Sequence, residues 1–395
     1  MRNHTVKKTQ HTPIRTAMIG GGINSAVGRV HEIAMKMDNQ FALHAGCFSR
    51  NPHINTETAH QYNINPKRLY PSAEHLLRAE AKHLDAVVIA TPIESHAEYI
   101  HLALDHGLKV ISDKPLLSNL AECQNLMQRI PPDATNVFSI FNYTGYPAVR
   151  EMKHRIEQGS IGQVFKIMAE MPQDSYMRLK NQHKTHAIQA WRLRDGPIPC
   201  VSLDLFVHLH SLIHFTCGNT PQAVTAWSRA ISNVSPNLVD EVDALIEYNN
   251  NLIANVWYGK AALGTRNGLR IRILGTHGSL QWHQEEPELL HLADATGNRM
   301  TLDRISSDST ISPQPRYQRF KSGHPSGFIE AFANYYTDIA QAMHLGRLNP
   351  YTLSVGVAVQ GLELAHTIAQ AAQLRTRIAL EHPAHTTTAQ KPATV

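Results

Sequence analysis

The feature that most constrains the fold is an apolar run at residues 14–19 that meets three consecutive glycines, Gly20-Gly21-Gly22, and then a helix-like segment. Strand, glycine-rich turn and helix in that order open a βαβ unit. Gly20, Gly22 and Ser25 occupy the spacing GxGxx(G/A/S). The first glycine permits the tight turn. The second lets backbone approach a pyrophosphate, whose charge the helix N-terminus stabilises. A lone match of this kind also fits a plain glycine-rich turn, but its place between the first strand and the first helix favours the nucleotide reading. Ile23 and Asn24, inside the loop, are candidate cofactor contacts.

The same grammar continues to about residue 141. Apolar runs at 41–48, 85–90, 108–112 and 137–141 alternate with helix-like segments at 25–38, 72–81, 96–106 and 118–129. Such alternation predicts a parallel sheet covered on both faces, a doubly wound α/β domain over residues 14–145. Beyond it the pattern changes. A helix at 147–158 ends at Gly159, a run at 164–171 follows, then a polar, basic stretch to Pro199 and a helix-like segment at 202–215. Runs at 223–230, 241–248, 252–258, 269–274 and 279–283 have no helices between them, which indicates an open, mainly antiparallel sheet. Two closing helices are expected at 328–343 and 353–372, in position to pack back on the first domain. The second domain is thus expected to be α+β over 146–381, between a flexible N-terminus at 1–13 and a disordered tail at 382–395.

A chain of 395 residues is long enough for two cores. No apolar run approaches the roughly 18–20 residues that span a bilayer, so no membrane partner is expected. The basic start lacks the apolar stretch of a signal peptide. Cys47, Cys123, Cys200 and Cys217 have no CxxC spacing, which fits a reducing cytoplasm and speaks against a zinc site or disulfide framework. A net charge of +5 without a long Lys/Arg run is no nucleic-acid footprint and suits phosphate-bearing small molecules.

The second run ends in Cys47-Phe48-Ser49-Arg50. An NAD-selective site usually puts an acid there for the ribose 2′-hydroxyl, and none is present. Ser49 and Arg50 fit a 2′-phosphate instead, so NADP is favoured over NAD, although Arg50 also reads well as a surface residue. Thr91-Pro92 follows the third run, at the carboxyl end of a strand where ligands bind in open α/β sheets.

Ile111-Ser112-Asp113-Lys114-Pro115 closes another strand. It resembles the Glu-Lys-Pro signature of the glucose-fructose oxidoreductase/inositol dehydrogenase (Gfo/Idh/MocA) family, with Asp113 in place of the usual glutamate. The block from Thr91 to Leu116, which contains His96, resembles the family in register, as do FNYTGYPAVR (141–150) and GHPSGFIEAFANYYTD (323–338). The resemblance covers about residues 14–375. It implies a Rossmann domain, a second domain on an open sheet, oligomers such as homodimers or homotetramers formed through that sheet's exposed face, and a carbohydrate substrate over the nicotinamide. Asp113, Lys114, His96 and Asn142 would then flank the cofactor, and Tyr143 and Tyr146 the substrate. Lys114 would reach the substrate hydroxyl.

Asp204 and His208 match the family's D-x-x-x-H, and four-residue spacing places them on one helical face. His208 would handle the hydroxyl proton, and Asp204 would bind a neighbouring hydroxyl or orient the histidine. A buried Asp–His pair with a structural role is the plainer reading. Two positions depart from the family: Phe206 stands where a glycine is common, and Ser211 where Asp or His is common. His210, one residue earlier, is a candidate to compensate. Between Tyr176 and Arg194 lie Arg178, Lys180, Lys184, Arg192 and Arg194 with no acid among them. A basic stretch near the pocket fits a carboxylate or phosphate on the substrate, with Arg192 as its contact, as against an ordinary solvated loop.

The expected activity is hydride transfer between nicotinamide and a secondary hydroxyl or keto group of a sugar, sugar acid, polyol or nucleotide-sugar. Competing readings are a non-catalytic NAD(P)-binding sensor on the same fold and an NAD-dependent redox glycosidase. A metal hydrolase using Asp204, His208, His210 and His214 is disfavoured, because the i,i+2 step from His208 to His210 points the two rings apart.

Overall fold

The computed structural model describes residues 12–380, so most of the N-terminal segment 1–13 and the whole tail 382–395 lie outside the described residues. The first half holds β1 (Ile14–Gly20), α1 (Gly28–Met37), β2 (Phe41–Cys47), α2 (Pro52–Gln61), α3 (Ala73–Glu80), β3 (Ala86–Ala90), α4 (His96–Asp105), β4 (Lys109–Ser112), α5 (Leu120–Arg129) and β5 (Val137–Ser139). The strands form one parallel sheet in the order β2-β1-β3-β4-β5. Every residue of β3 is buried, as expected for a central strand with helices on both faces. The order reverses between β1 and β3, which opens a crevice at their carboxyl ends, at Gly20 and Ala90.

The second half runs α6 (Pro147–Glu157), β6 (Val164–Pro172), α7 (Ser175–Asn181), a π-helical turn (Ser202–Phe206) leading into α8 (Val207–Cys217), and then β7 (Pro221–Arg229), β8 (Glu241–Tyr248), β9 (Leu252–Gly259), β10 (Arg270–Gly275), β11 (Gly278–His283), β12 (Leu290–Asp294) and β13 (Arg299–Leu302). It closes with α9 (Phe328–Leu345), α10 (Val355–Leu374) and β14 (Ile378–Ala379). Nine strands make one sheet in the order β13-β12-β11-β10-β6-β9-β8-β7-β14. Only β6 and β9 pair in parallel. Along β8 buried and half-buried residues alternate, with Val242, Ala244, Ile246 and Tyr248 facing the core. The opposite face is open and carries Trp227 at 59% exposure and Met168 at 48%.

Contacts through α9 help to join the halves. His31 on α1 hydrogen-bonds the Tyr336 hydroxyl on α9 at 2.7 Å. The fully buried Arg150 on α6 pairs with Asp338 on α9, stacks over Tyr351, and donates to the carbonyl of Thr144 at 2.9 Å. These contacts anchor the substrate-side sheet to the nucleotide half.

Candidate active site

At the carboxyl end of β1, Gly20 and Gly21 adopt φ of +79° and +70°. A Cβ on Gly20 would sit 2.6 Å from the Ala90 carbonyl oxygen and from Thr91 Cγ2. The helix begins later than expected, at Gly28, not at Ser25. Ser25 serves the loop instead: its Oγ accepts from the Gly28 N–H at 3.1 Å. Gly28 then passes so close to Gly21 that an added Cβ would fall 2.1 Å from the Gly21 carbonyl oxygen. The loop is therefore a backbone cradle that side chains would fill, as a bound pyrophosphate requires.

That cradle floors one end of a cleft of about 440 Å³. Gly20, Gly22, Asn24, Ser49, Arg50, Thr91, Pro92, His96, Asp113, Lys114, Arg192 and Asp204 all line it. Ile23 does not; its N–H is taken by Thr58 Oγ1 at 3.0 Å. His96 is buried, its two ring nitrogens 3.0 and 2.9 Å from the carbonyl oxygens of Pro115 and Thr91, so it also braces the wall.

The other end is built around Asp204, in the π turn. π turns of this kind recur at functional sites because they re-aim a side chain within a continuous helix. Three cations converge on its carboxylate. Lys114, next to the cis Lys114–Pro115 bond, reaches Oδ1 at 3.0 Å and the Asp204 main-chain carbonyl at 2.8 Å. Lys260, directly after β9, reaches Oδ2 at 2.6 Å, and Arg192 pairs with the same oxygen. Burial alone would raise the Asp204 carboxyl, but Lys114, Lys260 and Arg192 together hold it well below the usual carboxylate range. Burial pushes the Lys260 ammonium down, and Asp204 opposes it. Asp113 faces His31 Nε2 at 3.3 Å; burial alone would raise its carboxyl, but His31, Lys114 and His96 together keep it low.

His208 follows one turn on, buried, with the Tyr143 ring edge-on at 4.6 Å and its Nδ1 without a hydrogen-bond partner among the described residues. Burial first, and the Lys114 charge second, hold it well below 6.5, so the ring is neutral. Tyr143 accepts a hydrogen bond from Asn267 at 2.8 Å and stacks with Tyr146. Asn142 is buried beside them at the start of a short turn. His210 is elsewhere: it packs against Gly361 of α10, where a Cβ would meet its ring at 2.8 Å. Phe206 is also turned into the core, on Tyr258, and the Ser211 hydroxyl donates to the His208 carbonyl at 2.8 Å. The two departures from the family pattern thus sit on helix faces occupied by packing. Among the described residues no three His, Cys, Asp or Glu side chains form a metal-binding group.

Sequence reasoning missed Lys260, Trp191, Gln189 and Gly28. The signal for Lys260 was a lone lysine directly after the apolar run 252–258. Of the basic stretch, only Arg192 enters the cleft. Arg178 is bound to Asp174 at 3.1 Å, and Lys180 and Lys184 are exposed.

A glycine cradle on a parallel sheet, facing an inter-domain cluster of lysine, carboxylate and histidine, defines a two-domain nicotinamide-dependent oxidoreductase. Residues 14–138 match the family model described as "Oxidoreductase family, NAD-binding Rossmann fold", and residues 149–281 match the "GFO/IDH/MocA C-terminal domain". The chain belongs to the Gfo/Idh/MocA family. It is 28% identical over 342 residues to an uncharacterized oxidoreductase, YfiI, of Bacillus subtilis, covering 84% of this chain and 86% of that one. It is 22% identical to a levoglucosan dehydrogenase of Pseudarthrobacter phenanthrenivorans, over 72% of this chain and 77% of that protein. An inositol dehydrogenase homolog from Azotobacter vinelandii, solved with NAD+, superposes with a TM-score of 0.85 at 26% identity, covering 93% of this chain and 98% of that one.

Proposed function

We propose that this chain is a dehydrogenase of a secondary alcohol on a sugar or polyol, and that Lys114, Asp204 and His208 carry its chemistry. The observation behind this reading is the Lys114–Asp204 ion pair, which crosses between the two halves at the end of the cleft that the glycine cradle opens. A bound nicotinamide would supply the hydride acceptor. An ammonium has three donors. Lys114 uses two on Asp204, leaving one to hold the substrate oxygen. The neutral His208 ring takes the hydroxyl proton, and the ammonium stabilises the charge that develops on oxygen. Tyr143, edge-on to His208 and stacked on Tyr146, is proposed to hold the histidine side of the substrate position.

The cofactor is read as NADP, on Ser49 and Arg50 at the end of β2 and on the lack of an acid there. The relatives solved with NAD+ or NADH support the dinucleotide without favouring the 2′-phosphate. The open sheet face with Trp227 and Met168 is the surface for a homodimer or homotetramer. Four cysteines without disulfides suit a cytoplasmic place.

The test is nicotinamide reduction at 340 nm with NAD+ and NADP+ across neutral and acidic sugars and polyols. Dinucleotide binding with no reduced product from any of them would favour a sensor.

A further inference from the structure

We infer that the substrate alcohol carries a carboxylate, and that Arg192 is the residue that selects it. This rests on the dehydrogenase reading above and narrows its substrate class.

The first argument is charge. Lys114, Lys260 and Arg192 all bind one carboxylate, Asp204, with side-chain exposures of 17%, 5% and 24%. The neighbouring acids are engaged otherwise. Asp113 faces His31, Asp195 accepts the N–H groups of Cys200 and Val239, and Asp174 pairs with Arg178 and Arg266. Positive charge therefore exceeds negative charge in a largely buried cluster, an arrangement that a ligand anion would relieve.

The second argument is donor geometry. A guanidinium has five N–H donors. Arg192 gives one to Asp204 through Nη1 and one to Gln189 through Nε at 3.2 Å. The remaining three stay on a side chain that lines the cleft. The group is also fixed in place, because its carbon lies 4.4 Å from the centre of the Trp191 ring and Asp204 holds its edge. A planar, pre-oriented donor edge suits a two-oxygen anion. Lys260 cannot play this part: Asp204, Gln173 and the face of Tyr176 surround its ammonium.

The experiment uses the enzyme saturated with its preferred nicotinamide cofactor. Calorimetry and 340 nm assays compare D-galacturonate and D-gluconate with D-galactose and myo-inositol. The acids should bind more tightly, and Arg192→Gln should lower the acid-to-neutral ratio of kcat/KM by about tenfold or more, the loss expected for a charged hydrogen bond. Arg192→Lys, which keeps the charge, should restore part of that ratio. An unchanged ratio in Arg192→Gln overturns the proposal, as does a wild-type preference for the neutral sugars or binding of neither class. If Arg192→Gln weakens the cofactor and leaves the ratio intact, Arg192 serves the dinucleotide's phosphates, and the proposal is again overturned. Acids that bind by calorimetry without any hydride transfer would support anion selection while removing the dehydrogenase reading.

Discussion

Lys114 from the nucleotide-binding half and Asp204 from the substrate half meet in a 3.0 Å ion pair, and the same ammonium also caps the Asp204 carbonyl at 2.8 Å. The pair makes the relative placement of the two halves a property of the candidate active site. A side chain that fixes the cofactor side of the cleft is bonded to the one that starts the His208 helix.

Lys114→Met should therefore abolish turnover while leaving the glycine cradle intact. The expected loss in kcat is about 10²–10⁴-fold, the range for a positioned proton-handling or oxyanion-stabilising group. Dinucleotide affinity, measured by calorimetry, should change little beside that. Turnover close to wild type in this variant would remove Lys114 from the chemistry.

Gly28→Ala tests the opposite end. Its Cβ would fall 2.1 Å from the Gly21 carbonyl oxygen, a contact only backbone movement can relieve. α1 would be pushed off the loop proposed to receive the pyrophosphate. Dinucleotide affinity should fall by about tenfold or more, with kcat at saturating cofactor less affected. Equal affinity for wild type and Gly28→Ala would show that the cradle tolerates the shift.

Much of this fold is legible in the sequence because buried parallel strands are continuous apolar runs. β3, AVVIA, announces itself, and Gly20 and Gly21 mark where the chain must turn. The edge strands β13 and β14, and β12 beside β13, were not foreseen: LHLAD, RMTL and IA are short and mostly exposed or half-buried, so periodicity has little to act on. α7 was hidden in a stretch that reads as a basic loop. Lys114, Asp204 and His208 were legible as motif residues, yet Lys260 was not, since its partner lies 56 residues away and only the fold brings them together. His210 shows the reverse error. Its sequence neighbours suggested the pocket, but a helix position two residues from His208 points to another side, and α10 fills it.

The buried histidines set a pH dependence of stability. His208 is held well below 6.5 by burial and by Lys114, and burial with the neighbouring His214 brings His210 to about 3. In the unfolded chain both return to about 6.5. Below that value the unfolded state binds more protons than the folded one, so unfolding free energy rises with pH in this range. Their contribution is complete above about 6.5 and is lost as pH falls from there toward the folded values. Denaturant midpoints should drop between about pH 7 and pH 5, and His210→Leu should flatten the slope. A midpoint independent of pH in wild type would contradict the neutral, buried assignment.

Asp204→Asn separates the electrostatic role of the cluster from the catalytic one proposed for it. The amide keeps the shape and removes the only charge that Lys114, Lys260 and Arg192 share. Lys260 suffers most, at 4% exposure with its remaining neighbours Gln173 and the Tyr176 ring. Breaking a buried pair from one side costs about 3–5 kcal/mol, whereas removing both charges is far cheaper. Asp204→Asn should therefore lose about 3 kcal/mol of unfolding free energy as well as its turnover. Adding Lys260→Met should return a substantial part of the stability and none of the activity. If the double variant is less stable than Asp204→Asn alone, repulsion among the cations is not what the carboxylate relieves, and its hydrogen bonds to the three side chains are the stabilising element instead.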